Sequence, residues 1–312
     1  MFPGAVIAFL APGQGSQSPG MLTTWLELPA TAELIAGWSE VTGLDLRRLG
    51  TSADAQEITD TSVTQPLVVA MALLAHDQLQ RTATIPPDAI AAGHSVGELA
   101  AAVVAGVLSA DDAVDLAGVR GAAMSAACAA EPTGMSAVLG GDPDQVLARL
   151  GELGLDPANR NGAGQIVAAG ARAALAELAE QPPARARVIP LAVAGAFHTT
   201  YMAPAQQAVA ARAAQIPVTD PVRPLLSNAD GAMVTDGAEV LRRIVEQITR
   251  PVRWDLCTEA LRTAGVSAVV ELPPAGTLVG LARRELKGTA TFALRGPADL
   301  AALADHTAGV SR

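Results

Sequence analysis

The sequence predicts an α/β fold: a mostly parallel sheet covered by helices on both faces, with a small mixed unit inserted into it. Three observations lead there. Short apolar runs alternate with helical periodicities over most of the chain. The rhythm changes between about 133 and 193. A Gly-His-Ser-Val-Gly turn joins an apolar run to a helix at 93–97. The 312 residues exceed what one ordinary domain needs, yet no linker divides them evenly.

The elements follow in order. Residues 5–10 form a short apolar run ending at Pro12-Gly13, the pattern of a buried strand and its turn. Helical patterns come next at about 19–28, 31–42 and 61–81. Residues 89–93 are a second apolar run, 97–108 a helix, and Asp111 is expected to cap a further helix through about Ala127. In the altered stretch, 135–140 reads as a strand and 142–153 as a helix opened by Asp142-Pro143. Two strands at 158–161 and 165–169 enclose Gly162 and Gly164, and a helix at 171–181 and a strand at 187–193 complete the set. That β-α-β-β-α-β order is the ferredoxin-like split motif. Residues 131–193 are therefore expected to form a small domain, and 1–130 with 194–312 the large one. Beyond it, helical patterns at about 203–215, 238–248, 252–264 and 275–286 frame strands near 224–227, 268–272 and 291–294. Past Pro297 a short helix is expected, then fraying.

Hydrophobic residues make up 50% of the chain and charged residues 17%, enough apolar mass for a sizeable core. Aromatics, at 3%, are too few for base-stacking platforms, and a net charge of −10 repels phosphate backbones, so no nucleic-acid partner is expected. Lys287 is the only lysine, so local basic surface must be built from arginine. Cys128 and Cys257 lack CxxC neighbours and read as buried free thiols. The start of the chain has no basic run, and the apolar stretch near 66–75 is too short to span a bilayer. The expectation is a soluble, cytoplasmic protein without a membrane partner.

The Gly93–Gly97 turn carries the chemistry. Between strand and helix it reads as a nucleophile elbow, as in an α/β-hydrolase-like core, in preference to a Gly-rich turn with an incidental serine: glycines allow a tight turn that lifts the Ser95 hydroxyl above the sheet. The Val96 amide, beside the helix N-terminus, is then free to face an oxyanion. A serine nucleophile needs a base, and there are four histidines. His76 lies in a long helix and reads as a surface or satisfied residue; His306 sits in the terminal stretch. His94 adjoins the serine but is expected to point away and support the turn by packing. His198, in Gly195-Ala196-Phe197-His198-Thr199 at the return from the inserted unit, is the remaining candidate. No strand-ending acid falls between Ser95 and His198, so a Ser-His dyad oriented by a backbone carbonyl is favoured over a triad.

Several motifs occur in order: PGQGSQ at 12–17, GHSVGE at 93–98, VRG at 119–121, ANRNGAGQIVAAG at 158–170, GAFH at 195–198 with Met202, and PVRW at 251–254. Together they resemble the malonyl-CoA:acyl-carrier-protein transacylase family over nearly the whole chain. The Ala-rich, lysine-poor composition and LLSNADG at 225–231 look actinobacterial. The resemblance implies Ser95 as nucleophile, His198 as base, and the amides of Gln14 and Val96 as the oxyanion hole. It implies Arg120 as the partner of the substrate carboxylate and the Gln247 carbonyl as the group orienting His198. It also implies malonyl-CoA as substrate, acyl carrier protein as partner, no cofactor and a monomer. In related polyketide domains, a Phe at the position of Phe197 accompanies malonyl and a Ser methylmalonyl. Met124 and Met202 either line an acyl pocket or fill core gaps, and Gln65 is placed as an amide supporting the site. Gln14 and Arg120 have duller readings, a Gly-rich turn and a helix-surface cation. Asn159 and Asn161 are read as capping loop turns of the small unit. Arg185, Arg187, Arg283, Arg284 and Lys287 are the candidate patch for an acidic carrier protein. The rivals are a serine esterase or thioesterase, a polyketide-pathway acyltransferase, and an idle carrier-binding module.

Overall fold

The computed structural model describes residues 6–83 and 85–308. Its larger sheet has six strands in the order β10-β9-β1-β2-β7-β8. These are β1 (Val6–Ala11), β2 (Ile90–Gly93), β7 (Leu225–Leu226), β8 (Met233–Val234), β9 (Val266–Glu271) and β10 (Ala290–Ala293). All pairings are parallel except β7 with β8. Ile7, Phe9 and Ala11 of β1 belong to one apolar core, Ala8 and Leu10 to another, so the sheet is buried on both faces. This accounts for the continuous apolar runs of the sequence, which alternation alone does not explain.

The first face is covered by α1 (Thr31–Thr42), α2 (Leu46–Thr51), α3 (Thr61–Thr82), α4 (Gly97–Val104) and α5 (Ala110–Cys128), and further along the chain by α8 (Ala203–Ala213) and α9 (Gly237–Glu246). The second carries α10 (Trp254–Thr263) and α11 (Thr277–Glu285). The last described element is α12 (Pro297–Ala308); the fraying expected after it lies outside the described residues.

The second sheet is antiparallel, in the order β4-β5-β3-β6: β3 (Thr133–Gly140), β4 (Asp156–Gly162), β5 (Gln165–Ala171) and β6 (Ala186–Pro190). In chain order that is 2-3-1-4, the ferredoxin-like arrangement. Its helices α6 (Pro143–Glu152) and α7 (Arg172–Glu180) cover one face around Val138, Leu150, Ala168 and Leu178. Met135 and Val167, on the other face, pack into the first core, turned toward the large sheet. Asp142 caps α6, its side chain accepting from the Gln145 N–H, as the Asp-Pro signature implies.

Several expectations need correction. Residues 19–28 are mostly turns with a 3-10 turn at Trp25–Glu27, because successive turns around Pro19-Gly20 bury Trp25 without a helix. The helix expected through 108 ends at Val104. Ser109, not Asp111, caps α5, and Asp111 instead accepts a 2.8 Å bond from Trp38 Nε1. The strand expected to reach 193 ends at Pro190, and α2 and β8 have no counterpart in the sequence reading, being short and set by packing. Cys257 is buried as expected but Cys128 is only partly covered; both are free. Among the described residues no helix is long and apolar enough to cross a membrane.

Candidate active site

Ser95 sits between β2 and α4 with φ 56°, a left-handed conformation rare for a residue with a side chain. The turn closes because Gly93 and Gly97 have no side chains: a Cβ at Gly93 would strike the Gly97 carbonyl, and one at Gly97 the Ala11 carbonyl. Ser95 is braced from behind. Its N–H donates to Asn228 Oδ1 at 2.8 Å, and Asn228 Nδ2 donates to the Gly93 carbonyl at 2.8 Å.

Ser95 Oγ lies 2.8 Å from His198 Nε2, and His198 Nδ1 lies 2.8 Å from the Gln247 carbonyl. With Nδ1–H donating to that carbonyl, Nε2 is left as an acceptor facing the hydroxyl. Burial and the nearby charge of Arg120 hold His198 far below the ordinary imidazole range, at about 3, so it is neutral at physiological pH. His198 is also left-handed, with φ 60°, which turns its ring from the 3-10 segment at Thr200–Met202 back toward the elbow.

Arg120 projects from α5 and is 1% exposed. Its Nη1 donates to Gln65 Oε1 at 2.6 Å, and its Nη2 to Gln247 Oε1 at 3.1 Å and toward Ser95 Oγ at 3.5 Å. Its Nε has no partner among the described residues. Burial lowers the guanidinium to about 10, so it stays charged at neutral pH. Among the described residues no carboxylate forms an ion pair with it, although Glu98 is close enough to favour its charge.

A cleft of about 460 Å³ runs over these groups, between the large sheet and the inner face of the small one. Gln14, Gln65, His94, Ser95, Arg120, Met124, Phe197 and His198 line it from the large side, Met135, Asn159, Asn161, Gln165 and Val167 from the small side. The N–H groups of Gln14 and Val96 have no protein partner among the described residues, as donors awaiting an oxyanion would. The Gln14 side chain is tied back to Thr61 Oγ1 at 3.2 Å. Such a site can deprotonate a hydroxyl, receive an acyl group and hold a carboxylate beside it. Among the described residues no group of three or more His, Cys, Asp or Glu is placed to bind a metal.

Most predicted residues thus converge, with some corrections. The Gln247 backbone carbonyl meets His198 as the resemblance implies, but its side chain lies behind the cleft wall on Arg120 and does not line the substrate cleft. Gln65 is in direct contact with Arg120 and with Met124 Sδ, at 3.4 Å. Met202 is fully buried away from the cleft. Asn159 and Asn161 are strand residues of β4 facing the cleft, not turn caps, because alternation along β4 sends both to the inner face. His94 points away from the hydroxyl as expected, its Nε2 2.9 Å from Asn161 Oδ1 and its ring edge-on to Trp254 at 5.5 Å. His76 is buried, not superficial, and its Nε2 has no partner among the described residues.

Two residues escape the sequence reading. Asn228 reads as an ordinary turn residue in LLSNADG. Glu98, in the first turn of α4, reads as an acid favoured at a helix N-terminus. It is instead 4% exposed, accepting from the Asn228 N–H and from Gln247 Nε2, and burial pushes it up to about 8. The only clue is one charge in an otherwise apolar, Ala-rich helix.

Comparison with known proteins agrees with this geometry. Residues 8–298 match the acyl transferase domain family. A malonyl CoA-acyl carrier protein transacylase of Mycobacterium tuberculosis is 60% identical over 301 residues, covering 96% of this chain and 100% of that protein. The crystal structure of MCAT from Mycobacterium tuberculosis superposes with a TM-score of 0.93 at 60% identity, over 96% of this chain and 99% of that one. A malonyl-transacylase in complex with a type II polyketide acyl-carrier protein superposes at 0.91 with 29% identity, over 97% and 100%. An elbow serine, a neutral imidazole and a buried guanidinium on one cleft, in a chain matched almost end to end, leave one assignment: this protein belongs to the acyl transferase domain family.

Proposed function

We propose that this protein moves a malonyl group from malonyl-CoA to the phosphopantetheine thiol of an acyl carrier protein, through an O-malonyl-serine on Ser95. Arg120 carries this reading. A buried guanidinium 3.5 Å from the elbow hydroxyl, held only by neutral carbonyls, suits a substrate that brings its own carboxylate. A simple esterase gains nothing from it.

Arg120 holds the malonyl carboxylate while His198 Nε2 takes the Ser95 proton and Oγ attacks the thioester carbonyl. The amides of Gln14 and Val96 stabilise the oxyanion; one such donor is worth about 3 kcal/mol. Collapse breaks the C–S bond, His198 returns the proton to sulfur, and coenzyme A leaves as thiol. In the second half, His198 takes the carrier thiol's proton, the sulfur attacks the ester, and Ser95 regains its hydroxyl. Thioester and thiol suffice, without a cofactor. Phe197, lining the cleft, crowds an α-methyl branch and favours malonyl over methylmalonyl.

The carrier is acidic by expectation, against a chain of charge −10. Arg185, Arg187, Arg283, Arg284 and Lys287 are all exposed, on either side of the β4–β5 turn whose Ala163 N–H donates to Glu285 of α11. We assign carrier docking to this patch, in a cytoplasmic monomer. Charge reversal there should slow transfer to carrier protein and spare acylation by coenzyme A thioester; equal losses in both halves would remove the assignment.

Intact mass after mixing with malonyl-CoA tests the whole reading. A malonyl adduct should form, be absent in Ser95→Ala, and pass to added carrier protein. Rapid release of free malonate without carrier would instead mark a hydrolase. The relative paired with a polyketide carrier makes such a carrier a second acceptor to assay beside one from fatty-acid synthesis.

A further inference from the structure

Glu98 has no part in the steps above, yet it is the buried acid nearest to them. One oxygen accepts from the Asn228 N–H at 2.6 Å, and the other from Gln247 Nε2. Asn228 and Gln247 are the two residues that hold the site together. Asn228 ties down the Ser95 amide and the Gly93 carbonyl. Gln247 presents its backbone carbonyl to His198 and its side-chain carbonyl to Arg120. The Gln247 amide also reaches Asn228 Oδ1 at 3.1 Å and the Ser95 carbonyl at 3.2 Å, so its NH₂ end is surrounded by acceptors.

That arrangement fixes which way the Gln247 amide faces. A side-chain amide rotated by half a turn exchanges its oxygen and nitrogen at little intrinsic cost. Rotated, Gln247 would aim NH₂ at Arg120, donor against donor, and oxygen at Glu98. In the observed arrangement Glu98 accepts from both the Asn228 N–H and Gln247 Nε2, and a rotated oxygen would also face two further acceptors, Asn228 Oδ1 and the Ser95 carbonyl, which excludes the rotated state. We propose that Glu98 is a positioning residue that acts through Gln247: it locks the Gln247 side chain so that its carbonyl holds Arg120 in place for the substrate carboxylate. The acid absent from a Ser-His-Asp arrangement is thus present one residue removed, and it serves the carboxylate clamp.

The inference rests on the malonyl reading of Arg120, and its test separates the two. Glu98→Gln keeps the shape of the side chain but supplies a donor. The new amide then meets either Gln247 Nε2 or the Asn228 N–H donor to donor, or Gln247 turns and loses Arg120. Acylation of Ser95 would be followed with malonyl-CoA and with acetyl-CoA, which lacks the free carboxylate. The ratio of the two kcat/KM values should fall about tenfold or more in Glu98→Gln. Gln247→Met, which keeps the backbone carbonyl on His198, should lower it similarly, and adding Glu98→Gln to Gln247→Met should lower it no further. A loss shared equally by both acyl groups, or additive losses in the double variant, would show that Glu98 only supports the elbow. Should Glu98→Gln fail to fold, an unchanged ratio in Gln247→Met overturns the proposal by itself. If wild type shows no preference for malonyl-CoA over acetyl-CoA, the reading of Arg120 fails first, independently of Glu98.

Discussion

The two sides of the cleft are built from different materials. The large sheet and its helices contribute every ionisable group that lines it: Arg120, His94 and His198, with Ser95 beside them. The small antiparallel sheet contributes Met135, Asn159, Asn161, Gln165 and Val167, none of which carries a charge. Both non-glycine left-handed residues of the site, Ser95 and His198, also belong to the large side. Chemistry demands fixed charge and strained backbone, which only a surrounding core can hold in place. A long, flexible substrate arm demands neutral hydrogen-bonding groups that do not compete for its carboxylate. The division teaches that reaction and reach are carried by separate walls.

Substitutions on the reactive wall should hurt most. Ser95→Ala and His198→Ala should each lower acylation by at least about 10³-fold, read as malonyl adduct by mass. A substantial adduct in Ser95→Ala would move the chemistry elsewhere. Arg120→Ala should cost malonyl transfer about 2–5 kcal/mol and acetyl transfer far less, because only malonyl brings a charge to be paired. Comparable losses for both acyl groups would place Arg120 in general support of the site. Phe197→Ser should shift the malonyl-to-methylmalonyl ratio by about 1–3 kcal/mol, and an unchanged ratio would mean the ring does not border the branch.

On the neutral wall, Asn161→Ala should raise KM several-fold, about 1 kcal/mol, and do so alike for malonyl and acetyl thioesters. Discrimination lost with Asn161 would blur the division between the walls. The last effect is on stability and not on activity: it concerns pH and sits on the large side, since residues 131–193 contain no histidine. Burial holds His76 at about 4, below its ordinary value near 6.5. The unfolded chain therefore binds more protons between those values, and this residue's contribution to stability is lost as pH falls from about 6.5 toward 4. Denaturant melts of wild type and His76→Gln should differ in slope there by about 1–3 kcal/mol across the window and run parallel above about pH 7. Parallel profiles throughout would mean that His76 titrates normally.

How much is legible in advance follows the same line. Every strand but β8, the split β-α-β-β-α-β order and the elbow serine are readable, because each rests on local periodicity or on glycines at fixed offsets. The short α2 and β8 are not, since neither stands out from its surroundings as an apolar run or a helical periodicity. Asn159 and Asn161 are misplaced by a sequence reading because asparagine favours turns, and their inward direction depends on the register of β4 against β5. Asn228 and Glu98 are missed for a stronger reason. Each lies in a segment whose local reading is complete without it, and each acquires its role from a partner far along the chain: Asn228 from Ser95 at 133 residues, and Glu98 from Gln247 at 149.

By itself, then, the order of residues determined the α/β architecture, the elbow with Ser95, and the family through motifs spread along the chain. Tertiary structure decided what surrounds that serine: the neutral state of His198, the dual use of Gln247, and the burial of Arg120 and Glu98 in one network. Periodicity and turn chemistry are properties of neighbours in sequence. Desolvation and hydrogen-bond satisfaction belong to neighbours in space, and those exist only once the chain has folded.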